Sequence, residues 1–160
     1  MRAPTDYAFD LRRFGELTTA QLYALLRLRA EVFVVEQDCA YQDLDGRDAD
    51  SLHLLQVGPA HRLVGYARLL PAGLDFAASC AIGRIVTAPK VRRAGYGRPL
   101  VREAIRRCGE LWPGVPVDIR AQVYLDAFYR GLGFEPFGKT YLEDGIPHVD
   151  MRYREPTRPA

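Results

Sequence analysis

The sequence predicts a mixed α/β fold, a single sheet with helices on both faces, formed as one domain over residues 1–160. Two segments carry apolar residues at helical spacing, and several short apolar segments bounded by turn residues read as strands. Their order along the chain is strand, helix, three strands, helix, strand, helix, hairpin. The composition, 48% hydrophobic and 26% charged, is that of an ordinary globular protein. A length of 160 residues is enough for one domain with a hydrophobic core and short for two domains.

The N-terminal part predicts an edge strand over residues 9–14 followed by a helix with a clear start. Thr18 and Gln21 form a capping-box pattern, and Leu17 and Leu22 stand at the positions of a hydrophobic staple. We expect the helix to end near Val35. Its core-facing stripe is formed by Leu22, Leu25, Leu26, Arg29 and Phe33.

The middle of the chain predicts three strands after an acidic loop. Residues 38–51 contain an Asp-Gly turn dipeptide and form the loop, or a short helix within it. Residues 52–57 and 62–71 read as a hairpin joined by the sequence GPAH. Residues 80–88 are mostly apolar, which favours a central strand, and Pro89 ends its ladder.

A second long helix begins at Arg98, with Pro99 in the first turn, where a missing N–H costs nothing. Gly109 is the expected C-terminal cap. The face that should be buried carries Leu100, Val101, Ala104, Ile105 and Cys108.

The C-terminal part predicts a strand over residues 115–121 and a short helix within 124–134 that Gly131 or Gly133 ends. Residues 135–154 then form a hairpin around a second Asp-Gly dipeptide. The last residues, about 155–160, read as a disordered tail.

Composition excludes several functional classes. A net charge of +2 argues against a general nucleic-acid or membrane-surface binder, and no apolar run approaches the ~20 residues of a membrane span. The N-terminus has no apolar stretch typical of a signal peptide. Cys39, Cys80 and Cys108 form no CxxC pair, so reduced thiols in a cytoplasmic protein are expected. The three histidines are too scattered to predict a metal site.

The turn between the central strand and the second long helix has the chemistry of an anion site. The first N–H groups of a helix have no partner inside it, and the helix dipole adds partial positive charge there. Gly95 and Gly97 let the backbone approach an anion and adopt positive φ. Arg92, Arg93 and Arg98 add charge. These features predict a phosphate or diphosphate at this turn.

The turn does not fit the common nucleotide motifs. The Walker sequence GxxxxGK[ST] is absent, and GYGRPL supplies only two of the three glycines of a dinucleotide fingerprint. What remains is Arg-x-x-Gly-x-Gly, which taken alone fits a structural glycine turn with solvated arginines equally well.

Longer segments resemble one family. IGRIVTAPKVRRAGYGRPLV resembles the acetyl-CoA signature of the GNAT acetyltransferases, and AQVYLDAFYRGLGFEPFG resembles their second signature. The segments VFVVEQDCAYQDLDG and YLEDGIPHVDMRY are similar to the ElaA-like branch of that superfamily. The resemblance covers about residues 14–154.

The resemblance implies a mostly antiparallel central sheet that splays between its middle strands and leaves a slot for the pantetheine arm of CoA. Backbone groups of Ile85, Val86 and Thr87 should line the slot. Gln122 stands where many members have an asparagine that contacts the cofactor. The diphosphate should bind a run of residues that comprises Arg92, Arg93, Ala94, Gly95, Tyr96, Gly97 and Arg98.

The implied reaction is direct transfer of an acetyl group from acetyl-CoA to an amine, with no metal. The departing thiolate needs a proton, which a tyrosine hydroxyl with a pKa near ~10 can supply. The resemblance assigns this role to Tyr129, whose alternative is packing beside Phe128 and Phe134. Tyr124 and Tyr141 are its competitors.

The base and the acceptor contacts stay open at this stage. Glu36 ends an apolar helix, and we expect it to act in catalysis or to touch the acceptor. His53 and His148 are candidate substrate-binding residues, because histidine titrates near neutral pH. The acidic segment could attract a cationic amine or simply be solvated; its carboxylates are Glu36, Asp38, Asp43, Asp45, Asp48 and Asp50.

Two other interpretations remain. The same fold could be a non-catalytic module that binds acyl-CoA, or the basic turn KVRRAGYGR could bind RNA, which the near-neutral total charge disfavours. We therefore expect acetyl-CoA and an amine as partners, with no nucleic acid and no membrane; a homodimer would match family habit. A polyamine, an aminoglycoside, a protein N-terminus or a lysine would each suit an acidic approach.

Overall fold

A computed structural model describes residues 4–155 as one seven-stranded sheet in the order β1-β2-β3-β4-β5-β7-β6. All neighbouring strands are antiparallel except β4 and β5, which are parallel. The strands are β1 Ala8–Arg13, β2 Leu52–Val57, β3 Leu63–Leu70, β4 Cys80–Thr87, β5 Val117–Gln122, β6 Phe134–Glu143 and β7 Ile146–Tyr153. The helices are α1 Thr19–Arg29, α2 Gly97–Leu111 and α3 Asp126–Arg130. The predicted fold class and element order are confirmed.

Two hydrophobic clusters lie on opposite faces of the sheet. Tyr66 on β3 packs with α1 residues, whereas the next residue, Ala67, belongs to a larger cluster with α2 and α3. Successive side chains of a strand point to opposite faces, so α1 covers one face and α2 with α3 the other. The helices thus lie on both faces, as predicted.

The start of α1 has the predicted capping box. The Thr18 hydroxyl accepts the Gln21 N–H at 3.1 Å, and the Gln21 side chain accepts the Thr18 N–H at 3.0 Å. The most deeply buried residues of this helix include Leu25 and Leu28. They also include Arg29, a fully buried cation in an apolar stripe, which must have buried counter-ions.

The end of this helical segment differs from a regular α-helix. Residues Ala30–Glu36 continue α1 as a π-helix, in which Gln37 N–H donates to the Val32 carbonyl at 3.1 Å. The i to i−5 bonds widen the turn, and such turns are frequent at functional sites. Glu36 and Gln37 are placed by this segment, which the sequence pattern did not predict.

The helix α2 presents the predicted buried face, formed by Leu100, Val101, Ala104 and Cys108. Gly109 does not end it, because the helix continues to Leu111. Gly109 therefore lies inside the last turn and is not the predicted cap.

Replacing Gly109 by alanine is expected to raise the free energy of unfolding by about 0.5–1 kcal/mol, because alanine loses less backbone entropy in a helix. A Cβ at this position meets nothing within 4 Å. Urea denaturation measures the change. Gly114→Ala is the control. The space around Gly114 is equally open, but its φ is +76, which strains any residue other than glycine, so this substitution should lower the free energy of unfolding.

The sheet opens between β4 and β5. These strands pair only at Cys80 with Val117 and at Ala81 with Asp118, and beyond that point they separate. On its other edge β4 contains a bulge, because the register with β3 shifts between Tyr66 and Arg68. Arg84 lies in this bulge with a φ of +50. The splay that the family resemblance implied is therefore present.

Two predictions concern the ends of elements. The strand β4 ends at Thr87, just before Pro89, as expected. The predicted disordered tail lies outside the described residues from position 156 onward. Across residues 4–155, none of the helices combines the length and the apolar character that crossing a membrane requires.

Candidate active site

The turn between β4 and α2 presents a set of unpaired backbone donors. The Arg92 and Ala94 amides donate to the carbonyls of Pro89 and Val91, at 3.3 and 3.2 Å, and so are used within the turn. Within residues 4–155 five other amides have no acceptor: those of Arg93, Gly95, Tyr96, Gly97 and Arg98. Such a cluster at a helix start suits an anion.

The two glycines act differently. Gly95 has a φ of +93, the left-handed conformation that glycine favours, whereas Gly97 starts α2 and is absent from the positive-φ residues. A Cβ at Gly97 would lie 3.6 Å from Phe128 and 3.9 Å from Thr87. Arg93 is the second residue of the turn with positive φ, at +65. The expectation of positive φ thus holds for Gly95 and is wrong for Gly97.

The side chains of the three arginines of the turn have different contacts. The Arg92 guanidinium donates to the Glu36 carboxylate at 2.5 Å. Arg98 instead lies over α3, where it donates to the Gly131 carbonyl at 3.3 Å and stacks on Phe128. Arg93 is exposed and forms no ion pair with residues 4–155. The side-chain charge at the turn therefore comes from Arg92 and Arg93.

The slot between β4 and β5 opens next to this turn. Ile85 packs against the larger cluster and Val86 is buried in the smaller one, so both side chains serve the core. Thr87 pairs with Gly65 on β3, while on the other edge of β4 no strand of residues 4–155 pairs beyond Ala81. Backbone groups on that edge are available to an extended ligand.

The aromatic ring of Tyr129 on α3 is buried. It is 6% exposed and packs edge-on against Phe128 and Phe134, at centroid distances of 5.2 and 5.9 Å. Its hydroxyl has no partner in residues 4–155, yet it is not among the polar atoms sealed from solvent without one. Burial, and then the neighbouring Tyr124, raise its pKa, so the hydroxyl keeps its proton at neutral pH.

Tyr141 and Tyr124, the competing tyrosines, are placed less favourably than Tyr129 to donate a proton in the slot. The Tyr141 hydroxyl donates to Asp150 at 2.6 Å, and Tyr124 is 71% exposed.

Gln122 is the last residue of β5, at the open end of the slot. Its side-chain amide pairs with that of Gln37, at 3.3 and 3.5 Å in the two directions. Across the β5–β7 ladder it lies opposite His148. The His148 Nδ1 is 2.7 Å from the Ile146 carbonyl, its Nε2 is 3.7 Å from Glu143, and its ring stacks on Tyr141.

The comparisons with known proteins agree with this geometry. The family described as an acetyltransferase (GNAT) domain matches residues 19–155. This chain belongs to the GNAT acetyltransferase family. It is similar to protein ElaA of Escherichia coli, with 44% identity over 86% of this chain and 90% of that protein.

Solved GNAT structures support the same assignment. The crystal structure of Escherichia coli ElaA has a TM-score of 0.85 and 39% identity, and the match covers 92% of this chain and 99% of that one. An acyl-CoA N-acyltransferase from Pseudomonas aeruginosa has a TM-score of 0.84 at the same identity and coverage. By family and fold, the chain is a GNAT-type acyltransferase, and the GNAT fold implies acyl-CoA binding. The free amides and the open slot fit such a ligand.

The acidic segment of this GNAT chain is not an open acidic approach. Three of its aspartates alternate with three arginines in a closed ring, in which each carboxylate contacts two guanidinium groups and each guanidinium contacts two carboxylates. The pairs are Arg29–Asp43 at 2.9 Å, Asp43–Arg84 at 2.7 Å, Arg84–Asp45 at 3.5 Å, Asp45–Arg68 at 2.6 Å, Arg68–Asp48 at 2.9 Å and Asp48–Arg29 at 2.7 Å.

The ring corrects the expectation for half of the acidic residues. Asp43, Asp45 and Asp48 are paired with arginines from α1, β3 and β4, so their charges are largely neutralised within the protein. Asp38 and Asp50 are exposed, and the Glu36 carboxylate forms an ion pair with Arg92. The segment is thereby fixed to the sheet by buried ion pairs.

His53 is part of the same network, and both of its ring nitrogens have partners within it. It is fully buried; its Nε2 donates to the Asp48 carbonyl at 2.9 Å, so its Nδ1 accepts from the Tyr66 hydroxyl at 2.8 Å. Burial is the main cause that lowers its pKa, which keeps the ring neutral. In this structure His53 therefore has no ring nitrogen free for the predicted substrate contact.

Sequence reasoning missed Gln37, Glu143 and the ring. The signal for the ring was present, since Arg29 falls in the apolar stripe of α1 and a buried cation needs carboxylates nearby. Nothing in the local sequence of Gln37 indicates its contact with Gln122, because the π-helix places it.

Proposed function

We propose that the protein is an acetyl-CoA-dependent N-acetyltransferase that moves an acetyl group directly to an amine. The observation that carries this proposal is the group of five unpaired amides at the start of α2, which opens onto the slot beside β4. Acetyl-CoA supplies a thioester whose acyl carbon an amine can attack. The chain supplies the binding groups and the proton transfers.

The proposed cofactor site uses most of the groups predicted from the sequence. The Ala94 amide and the Arg98 side chain are engaged within the protein. The diphosphate binds the five unpaired amides of the turn, with the charges of Arg92 and Arg93 beside it. The pantetheine arm lies against the backbone of β4, from Ile85 to Thr87. Gln122 contacts the arm from β5, since it stands at the open end of the slot.

Glu36 has a role that depends on Arg92. In this structure its carboxylate is bonded to the guanidinium that we assign to the diphosphate. A diphosphate on Arg92 competes with Glu36 and leaves the carboxylate free for a cationic acceptor. We therefore propose that donor binding precedes acceptor binding and that Glu36 contacts the acceptor ammonium.

Tyr129 is the proposed proton donor to the departing sulfur. Its raised pKa keeps it protonated, and its hydroxyl has no partner within residues 4–155 that would hold the proton back.

Replacing Tyr129 by phenylalanine is expected to lower kcat about 100-fold, the low end of the general acid range, while the Kd for CoA stays within a factor of a few. Free-thiol release measures the rate and calorimetry measures the affinity. Tyr124→Phe, which removes an exposed hydroxyl next to the same helix, should keep turnover. Undiminished kcat in Tyr129→Phe would remove this tyrosine as the donor.

The proposal as a whole is tested by a thermal-shift screen with CoA and acetyl-CoA, followed by a panel of amines read by thiol release. Stabilisation by both ligands and amine-dependent thiol release support it. Stabilisation without release from polyamines, aminoglycosides, lysine peptides and N-terminal peptides would favour the non-catalytic module.

We also propose a cytoplasmic location and no nucleic-acid partner. The three cysteines are free thiols, which suits a reducing compartment, and the net charge is only +2. A homodimer stays a prediction.

A further inference from the structure

We propose that His148 is the general base that takes the proton from the acceptor amine. This inference rests on the proposed function, which leaves the base unassigned. It depends on three features of the described structure: the tautomer of the imidazole, the carboxylate beside it and its place at the open end of the slot.

The tautomer follows from the partner of Nδ1. The Ile146 carbonyl, 2.7 Å from Nδ1, can only accept a hydrogen bond, so Nδ1 carries the hydrogen. The neutral ring then has its lone pair on Nε2. That atom forms no hydrogen bond with residues 4–155 and is not among the sealed polar atoms, so it can meet a ligand. His53 has the opposite tautomer, with both nitrogens occupied.

Charged and aromatic side chains surround the His148 ring. The Glu143 carboxylate on β6 lies 3.7 Å from Nε2, within the distance of an ion pair with the imidazolium that the step forms. Arg120 on β5 lies 3.9 Å from the same carboxylate. From β6 the Tyr141 ring stacks on the imidazole, and its hydroxyl is held by Asp150 on β7.

The sheet places His148 beside the slot. It lies opposite Gln122, and paired residues of neighbouring strands point to the same face. On that face the Gln122 amide bonds to Gln37, the residue after Glu36. The Cys39 thiol, at 3.5 Å from the Asp144 carbonyl, connects the segment after Gln37 to the β6–β7 turn. An acceptor held by Glu36 therefore stands near the strand that carries His148.

Four of the six carboxylates of the acidic segment are already engaged. The carboxylates of Asp43, Asp45 and Asp48 are held in the arginine ring, where protonation would break buried ion pairs. Glu36 is bonded to Arg92, and after donor binding we assign it to holding the ammonium in place.

The proton balance of the step is as follows. His148 Nε2 takes one proton from the ammonium and later releases it to solvent. The amine lone pair forms the new C–N bond to the acetyl carbon, and the C–S bond breaks. Tyr129 gives its proton to the sulfur and recovers one from the amide nitrogen. An ammonium and a thioester thus give an amide, a thiol and one proton.

The test compares His148→Gln with two matched variants, His61→Gln and Glu36→Gln. His61 is exposed in the β2–β3 turn. We expect His148→Gln to lower kcat about 100-fold and to remove the acid limb of the kcat profile, with the Kd for CoA unchanged. Glu36→Gln should mainly raise the KM for the amine and keep the limb, and His61→Gln should change neither.

A second readout does not depend on turnover. Nitrogen-15 NMR of the imidazoles, assigned by the loss of signals in His148→Gln, should show the Nδ1–H tautomer for His148 in the free protein. An Nε2–H tautomer would overturn the proposal.

The outcomes also separate the two proposals. A wild-type protein that turns over, together with a His148→Gln variant that keeps both rate and acid limb, overturns the base and leaves the acetyltransferase function intact. If the acid limb of the kcat profile is lost in Glu36→Gln and kept in His148→Gln, the base is Glu36 and not His148. A wild-type protein that binds no acetyl-CoA overturns the proposed function, and this inference with it.

Discussion

Replacing Asp48 by asparagine is expected to lower the free energy of unfolding by about 3 kcal/mol, which is the scale of breaking a buried ion pair from one side. The carboxylate contacts Arg29 and Arg68, which are 0% and 3% exposed. The neutral amide leaves two buried cations with one carboxylate each. Thermal unfolding should show a Tm lower by roughly 10 °C.

Asp50→Asn is the matched control, because Asp50 lies in the same short turn, is exposed and belongs to no ion pair within residues 4–155. It should change stability by less than about 0.5 kcal/mol. Equal stability of Asp48→Asn and Asp50→Asn would show that the ring does not stabilise the fold.

The same substitution should change how stability depends on pH. Burial alone would raise the pKa of Asp48, but its hydrogen bonds and charge contacts with Arg29 and Arg68 outweigh burial and hold the pKa below the usual value. Stability from this group is therefore complete above about pH 4, the pKa of an unfolded aspartate, and is lost as pH falls through the lowered value. Denaturation curves at pH 7 and pH 3 should differ less in Asp48→Asn than in the wild type.

Replacing Gly95 by glutamate is expected to weaken CoA binding about 100-fold or more. The side chain adds negative charge at the unpaired amides, each of whose bonds to a charged ligand is worth about 1.5–3 kcal/mol. Calorimetry with CoA measures the loss, and retained affinity would place the diphosphate elsewhere.

Backbone strain is controlled by a matched glycine. Gly73 has a φ of +94, against +93 for Gly95, and lies exposed in the loop between β3 and β4. Gly73→Glu therefore carries the same charge and the same conformational cost. It should bind CoA as the wild type does, and a parallel loss in both variants would mean that strain, and not the anion site, explains Gly95→Glu.

Local patterns predicted most of the fold because each depends on neighbouring residues. Thr18 and Gln21 form the capping box, and the buried face of α2 follows its helical spacing. Gly109 was assigned wrongly, because this glycine lies inside the last turn of α2, at a position where a Cβ would meet nothing within 4 Å. The π-helix was missed because no residue pattern distinguishes it from the end of an α-helix.

The site was less predictable, because its contacts join distant parts of the chain. The backbone amides of the turn follow from local sequence, whereas the contact of Arg92 with Glu36 spans 56 positions. The sequence indicated that His148 could matter but not which nitrogen is free, which depends on the Ile146 carbonyl.

The separation of β4 from β5 has a consequence for hydrogen exchange. Amides on the slot side of β4 beyond Ala81, like those of the turn before α2, have no acceptor in the sheet. Their exchange with deuterated solvent should be fast in the free protein and slow once a bound arm accepts from them. The exchange of these amides therefore reports whether the slot is occupied, peptide by peptide and without chemical modification of the protein.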